Sequence, residues 1–227
     1  MCGRFTISVT VDELRQYVSE AYAIDELTGD FDLPKYNVAP GHPVIAIIND
    51  GKDNRIGTLT WGFVSPFQPR LDKPRRMINA RAETIAQKPT FVQSFKQRRC
   101  VIIADGFYEW QRLHDKKVPM RILMKDRRLF PMAGLWSSYV TAEGEKKHTC
   151  AIITTKANEI VLPIHERMPV ILAEEARRSW LDPSAQDMRA LQKLLVPHDA
   201  QSMEAYQVSD VVNKATFDDP ICIQPSL

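Results

Sequence analysis

The chain has 227 residues, 44% of them hydrophobic and 26% charged, with a formal net charge of +2. This is the composition of a soluble globular protein and carries no global basic signal for nucleic acid. No apolar run approaches the ~18 residues of a membrane-spanning helix, and the polar opening excludes a signal peptide, so a cytoplasmic protein is expected.

In chain order, Thr10 and Glu13 form a capping box for a helix with Val11, Leu14, Tyr17, Val18 and Ala21 on one face. A loop is predicted through Lys35-Tyr36-Asn37-Val38-Ala39-Pro40-Gly41. Val44–Ile48 reads as a strand, Asn49-Asp50-Gly51 as a turn, and Arg55–Val64 as the returning strand. The proline-rich stretch Pro66–Pro74 is expected to be an exposed loop. Pro89 opens a short helix with Phe91 and Phe95 on one face. Strands follow at Cys100–Ala104, Phe107–Trp110, Pro119–Met124, Leu129–Trp136 and Thr149–Thr155. Asn158–Leu162 reads as a helix stopped by Pro163, and Val170–Leu172 as a strand. Helices near 173–181 and 187–195 and a strand at Met203–Ser209 complete the chain. Many short strands without regular βαβ alternation predict an α+β fold: a single domain over 1–227, mainly antiparallel β-sheet and barrel-like, with peripheral helices.

Basic runs occur at Arg70–Arg76, Lys96–Arg99 and Lys125–Arg128, and such runs are commonly solvated surface. The four cysteines include no CxxC pair, and the five histidines lack metal-ligand spacing. No metal and no cofactor is expected. Cys100, Cys150 and Cys222 sit among isoleucine and valine and read as core residues. Cys2 alone has a setting that is not apolar.

Its position carries a specific chemistry. Aminopeptidases remove an initiator methionine when a small residue follows, which leaves Cys2 with an α-amine and a thiol on adjacent carbons. An α-amine has an ordinary pKa of roughly 7.7–8.0 and is partly nucleophilic near neutrality. A thiol near ~8.5 falls beside a cation, and Arg4 is the expected cation.

Several polar stretches exceed what packing requires: Cys2-Gly3-Arg4, Trp61-Gly62, Asn79-Ala80-Arg81-Ala82-Glu83, Glu109-Trp110 and His165-Glu166-Arg167. With the opening Met1-Cys2-Gly3-Arg4-Phe5, Tyr36-Asn37-Val38-Ala39-Pro40, Thr84, Asp105-Gly106 and Met168-Pro169, they resemble the SRAP family of SOS-response-associated peptidases, or abasic-site-processing proteins. The resemblance spans nearly the whole chain and is loose after Pro183, around Val208-Ser209 and Asn213, where no site is expected.

The resemblance implies a DNA-damage protein that captures abasic sites in single-stranded DNA. Cys2 would form a covalent thiazolidine crosslink, with peptidase or lyase-like activity at the same centre. It implies catalytic roles for Cys2, Asn79, Glu109 and His165, and DNA contacts from Arg4, Trp61, Arg81, Thr154 and Arg167. Glu109 would move protons at the amine and thiol, and His165 at the sugar ring oxygen. Asn79 would hold the amine or a sugar hydroxyl, and the arginines would clamp phosphates. The partner would be single-stranded DNA, with no membrane and no metal, and the protein a monomer.

Read alone, Glu109 is equally a solvent-facing strand carboxylate, and His165 a loop histidine bonded to backbone. Asn79 is equally a turn residue, Trp61 a core tryptophan, and Arg81 an ion-pair partner of Glu83. Trp110, Trp136 and Trp180 are expected in the core. Rival readings are an N-terminal-nucleophile amidotransferase, which also opens Met-Cys-Gly, a peptidase acting on other proteins, and a non-covalent reader of modified DNA. The amidotransferase reading lacks a glycine- and asparagine-rich oxyanion segment downstream.

Overall fold

Twelve strands and four α-helices build the molecule in a computed structural model that describes residues 2–27, 29–67 and 74–226. Met1 and residues 70–73 of the basic loop lie outside the described residues. Two sheets share one hydrophobic core.

The first sheet runs through β1 (Arg4–Ile7), β2 (Lys35–Val38), β7 (Gly106–Leu113), β8 (Lys116–Met124) and β12 (Met203–Gln207), in the order β12-β8-β7-β1-β2. The second contains β3 (Pro43–Asn49), β4 (Asn54–Trp61), β6 (Arg99–Ala104), β9 (Phe130–Val140), β10 (Lys146–Lys156) and β11 (Arg167–Pro169). In it β10, β4, β3, β6 and β9 form consecutive pairs, and β9 pairs again with β10. Five strands therefore close on themselves, which removes their edges. The barrel-like α+β expectation holds, although β10 pairs in parallel with β4 and with β5 (Asn79–Arg81).

Local chemistry explains the helices. The helix α1 (Val11–Tyr22) has the capping box at Thr10 and Glu13 and buries Leu14, Val18 and Tyr22. Pro89 begins α2 (Pro89–Gln97), which buries Phe91 and Phe95. Phe95 packs on Trp180 of α3 (Glu174–Leu181). The buried Arg99 guanidinium donates to Phe95 O and Trp180 O, so one side chain satisfies carbonyls of both helices. Asp187 caps α4 (Met188–Lys193).

Four local expectations need correction. Lys35–Val38 is a strand rather than a loop, because β1 supplies an antiparallel partner. The strand from Asn54 ends at Trp61, where Gly62 takes a positive φ of 139°. Residues 158–162 form hydrogen-bonded turns and no helix, with Asn158 Oδ1 accepting from Val161 N. The strand expected at Val170–Leu172 lies earlier, at Arg167–Pro169, where β10 pairs with it. No helix among the described residues is long and apolar enough to cross a membrane.

Candidate functional site

The strand that delivers Cys2 is locked from below. Arg4, Phe5 and Thr6 of β1 pair with Tyr108, Phe107 and Gly106 of β7. Asp105, at the head of β7, accepts from Thr6 Oγ1 at 2.5 Å and from Ser8 N at 3.0 Å. Arg121 of β8 lies 3.4 Å from Asp105 Oδ2 and donates to Thr6 Oγ1 and Tyr206 Oη. All these groups are buried or nearly so, and a buried carboxylate with this many donors fixes the register of its neighbours. Gly106 is required here, because a Cβ would stand 2.8 Å from both Arg121 Nε and Thr6 Oγ1.

Above this platform three candidate catalytic residues gather around Cys2. Asn79 opens β5 and its Nδ2 donates to the Cys2 carbonyl at 2.9 Å. It holds the carbonyl, where the sequence suggested the amine or a sugar hydroxyl. Its Oδ1 is buried without a hydrogen-bond partner among the described residues, an acceptor still to be satisfied. Glu109, on β7, is 3% exposed. Burial raises its carboxyl above the ordinary glutamate range, and the nearby His165 opposes the rise. His165 follows the 158–162 turns, its backbone N–H bonded to Val161 O. Its Nδ1 stands 4.0 Å from Glu109 Oε1 and accepts from Arg167 N at 2.9 Å. Gln111 of β7 donates to Pro163 O and ties this loop to the strand that carries Glu109.

Cys2 is fully buried, which corrects the idea that its setting is not apolar. Burial pushes its thiol well above the ordinary range, and the Glu109 carboxylate adds to the rise. The Arg4 backbone opposes the rise through its bond to the thiol, but the Arg4 guanidinium does not. The Arg4 guanidinium points away, to Asn37 Oδ1 at 2.8 Å, Val212 O at 2.6 Å and Asn213 O at 3.3 Å. Those bonds also engage Arg4 internally, where a phosphate clamp was expected.

Of the other DNA candidates, Trp61 is fully buried against Phe5, its indole N–H bonded to Ile78 O. It has no face to stack on a base. Thr154 is buried too, with its carbonyl accepting from Arg167 Nη2 at 2.7 Å. Arg167 forms a two-pronged pair with Glu83 at 2.7 and 3.0 Å, so it, not Arg81, takes that carboxylate. Arg81 is exposed and makes no ion pair among the described residues.

A cleft of about 680 Å³ opens beside this cluster, lined by Glu109, Trp110, Arg112, Lys117, Ile164, His165 and Asn213. Five of these were not anticipated as site residues. Trp110 is half-buried, where the sequence placed it in the core, and it donates its indole N–H to Asn213 Oδ1 at 2.6 Å. Alternation along β7 was the available signal, since Trp110 and Arg112 share a face. Nothing in the sequence brought Asn213 to the site. Among the described residues no group of His, Cys, Asp and Glu is arranged to hold a metal.

Residues 1–215 match the family described as SOS response associated peptidase (SRAP). The chain belongs to that family. It is 46% identical to the abasic site processing protein YoqW of Bacillus subtilis, over 99% of each chain. It is 32% identical to the abasic site processing protein YedK of Escherichia coli, over 80% of this chain and 79% of the relative. A crystal structure of a Bacteroides thetaiotaomicron protein superposes with a TM-score of 0.86 at 28% identity, covering both chains completely. In this family member, Cys2, Asn79, Glu109 and His165 lie in one neighbourhood.

Proposed function

We propose that this protein processes abasic sites in single-stranded DNA by bonding the lesion covalently to Cys2 after Met1 is removed. The observation that carries the reading is the convergence of Asn79 and Glu109 on Cys2, with His165 4.0 Å from the Glu109 carboxylate. The names of the relatives support the substrate class.

The chemistry follows from the geometry. An abasic deoxyribose opens to an aldehyde at C1′. The freed α-amine adds to that carbon to give a carbinolamine, and loss of water gives an imine. The Cys2 sulfur then bonds to the same carbon, its proton passes to the nitrogen, and a thiazolidine closes with one water released overall. Ring closure within one residue gains the large effective concentration of pre-oriented groups. Because burial keeps the thiol protonated, sulfur attack needs a base beside it, and Glu109 is that base. Its raised carboxyl pKa also suits it to return a proton to the departing hydroxyl of the carbinolamine. His165 moves the proton at the ring oxygen that opens the sugar. Asn79 Oδ1 is an acceptor for the amine N–H, while its Nδ2 fixes the Cys2 carbonyl. Of the arginines, Arg81 is the phosphate contact. All these groups come from one chain, so a monomer suffices.

The test is incubation with a single-stranded oligonucleotide carrying one abasic site, followed by a denaturing gel and mass measurement. The expected product survives denaturation, lacks Met1 and carries the sugar on Cys2. Cys2→Ala leaves at most an imine that needs reductant to survive. A Cys2→Ala adduct as stable as that of the unmodified protein would overturn the reading.

A further inference from the structure

The hairpin formed by β7 and β8 carries an arrangement that folding alone does not explain. Arg112 sits directly opposite Lys117 in the ladder. Like charges opposite one another in an antiparallel pair repel and destabilise it. Both are exposed, and neither makes a salt bridge among the described residues. Lys116 extends the charge toward the tip, where Asp115 is the acidic residue and makes no salt bridge with it among the described residues. On other hairpins and strands some exposed cations do find acids: Arg55 bonds Asp50, Arg127 bonds Glu204 and Lys147 bonds Glu145. The repelling pair also faces a specific place, since Arg112 and Lys117 line the same cleft as Glu109 and His165. That wall is held rigid, because the Trp110 indole is fixed to Asn213 and Arg4 fixes the Asn213 backbone.

We propose that Arg112 and Lys117 form an anion subsite that holds backbone phosphate of the DNA strand beside the lesion. This rests on the function proposed above and adds a second cationic contact to Arg81, on a different sheet. An anion seated between the two side chains removes their repulsion, so the cost of the arrangement in the free protein is relieved on binding. Two strand residues of the same face are about 6.8 Å apart. Trp110 and Arg112 are one such step apart, and Arg112 and Lys117 share the cleft wall with Glu109 and His165, so the subsite lies within the reacting cleft. The strand leaves the lesion along this hairpin.

The experiment compares the unmodified protein with the double variant Arg112→Gln, Lys117→Gln. The probe is a single-stranded oligonucleotide without a lesion, whose anisotropy is titrated over a salt series. Each phosphate contact contributes about 0.7 to the slope of log affinity against log salt on single strands. The variant is expected to lose about 1.4 from that slope and to bind roughly 25-fold more weakly near ~0.1 M salt. Its melting temperature is expected to be unchanged or higher, because a repulsion is removed. An unchanged affinity and slope in the variant, while the unmodified protein still crosslinks an abasic oligonucleotide, overturns the subsite alone. Failure of the unmodified protein to bind or crosslink that DNA overturns the parent reading instead. A parallel arm titrates inorganic phosphate at matched ionic strength. Phosphate binding lost in the variant, with DNA binding equal in both proteins, would assign the pair to a free anion and refute the inference.

Discussion

The Nδ1 of His165 stands 4.0 Å from Glu109 Oε1 while accepting the backbone N–H of Arg167 at 2.9 Å. The same nitrogen lies 3.3 Å from Arg167 O, so the Arg167 backbone meets it with both a donor and an acceptor. The Arg167 backbone thereby orients the ring beside the Glu109 carboxylate. In the proposed chemistry these two neighbours have separate tasks.

Their kinetics are expected to separate. Glu109 must be ionised to take a proton from the amine or thiol, and its raised carboxyl moves that requirement to higher pH. Capture by the unmodified protein should therefore accelerate as pH rises through the Glu109 titration, and Glu109→Gln should lose this limb. His165→Ala should slow capture across the pH range and also slow reversal. Each loss is expected to be about 10²–10⁴-fold. Adduct yield against time at several pH values is the measurement, with melting curves alongside to exclude unfolding.

Glu109 also has a stability signature. Its folded pKa lies above that of an unfolded glutamate, so between the two values the native state binds more protons. Stability then falls as pH rises through that window, and the full cost is present above the folded pKa. Glu109→Gln should be free of the effect. The melting temperature of the variant minus that of the unmodified protein is expected to grow with pH, with His165 and Cys2 as the neighbouring titrating groups. A difference that is flat with pH would mean that Glu109 is not strained by burial.

Asn79→Ala removes the bond to the Cys2 carbonyl and the orphan acceptor together. A neutral hydrogen bond contributes about 0.5–1.5 kcal/mol, so the melting temperature should drop only modestly. The crosslinking rate should fall much further, because the reacting residue loses its orientation. Equal proportional effects on stability and rate would make Asn79 a packing residue.

The arginines divide by partner. Arg81→Ala should weaken single-stranded DNA binding and reduce the salt slope by about 0.7 without changing stability. Arg4→Ala should instead destabilise the fold by about 2–4 kcal/mol, because charge-assisted bonds to two carbonyls and Asn37 are lost. Denaturant melts and anisotropy titrations on the two variants read this apart.

Much of the fold was legible because its signals are local. The Thr10–Glu13 box, Pro89 and the apolar runs of β6 and β10 announce their elements within a few residues. Long-range partners decide the rest. Lys35–Val38 becomes a strand only because β1 lies beside it, and β11 forms where β10 offers an edge. At the site, the family resemblance pointed to Cys2, Asn79, Glu109 and His165, which the fold brings into one neighbourhood, whereas hydrogen-bond allegiance was hidden. Arg4 and Arg167 look alike in sequence to Arg81, yet their guanidiniums serve carbonyls and Glu83. Trp61 and Trp110 exchange expected places because burial depends on Phe5 and on the Asn213 segment, both distant in the chain.

The pairing of Arg4 with Tyr108 also fixes an order of events during synthesis. The slot that buries Cys2 does not exist until β7 has been made, roughly a hundred residues after the amino terminus emerges. At about 5–20 residues per second, the first residues spend roughly 5–20 s outside any finished sheet. The aminopeptidase that the proposed chemistry requires works on the nascent chain in that interval. Once β1 docks, the Cys2 side chain is enclosed. A strand order that places the first strand between two later ones thus gives the proposed maturation a bounded interval before docking.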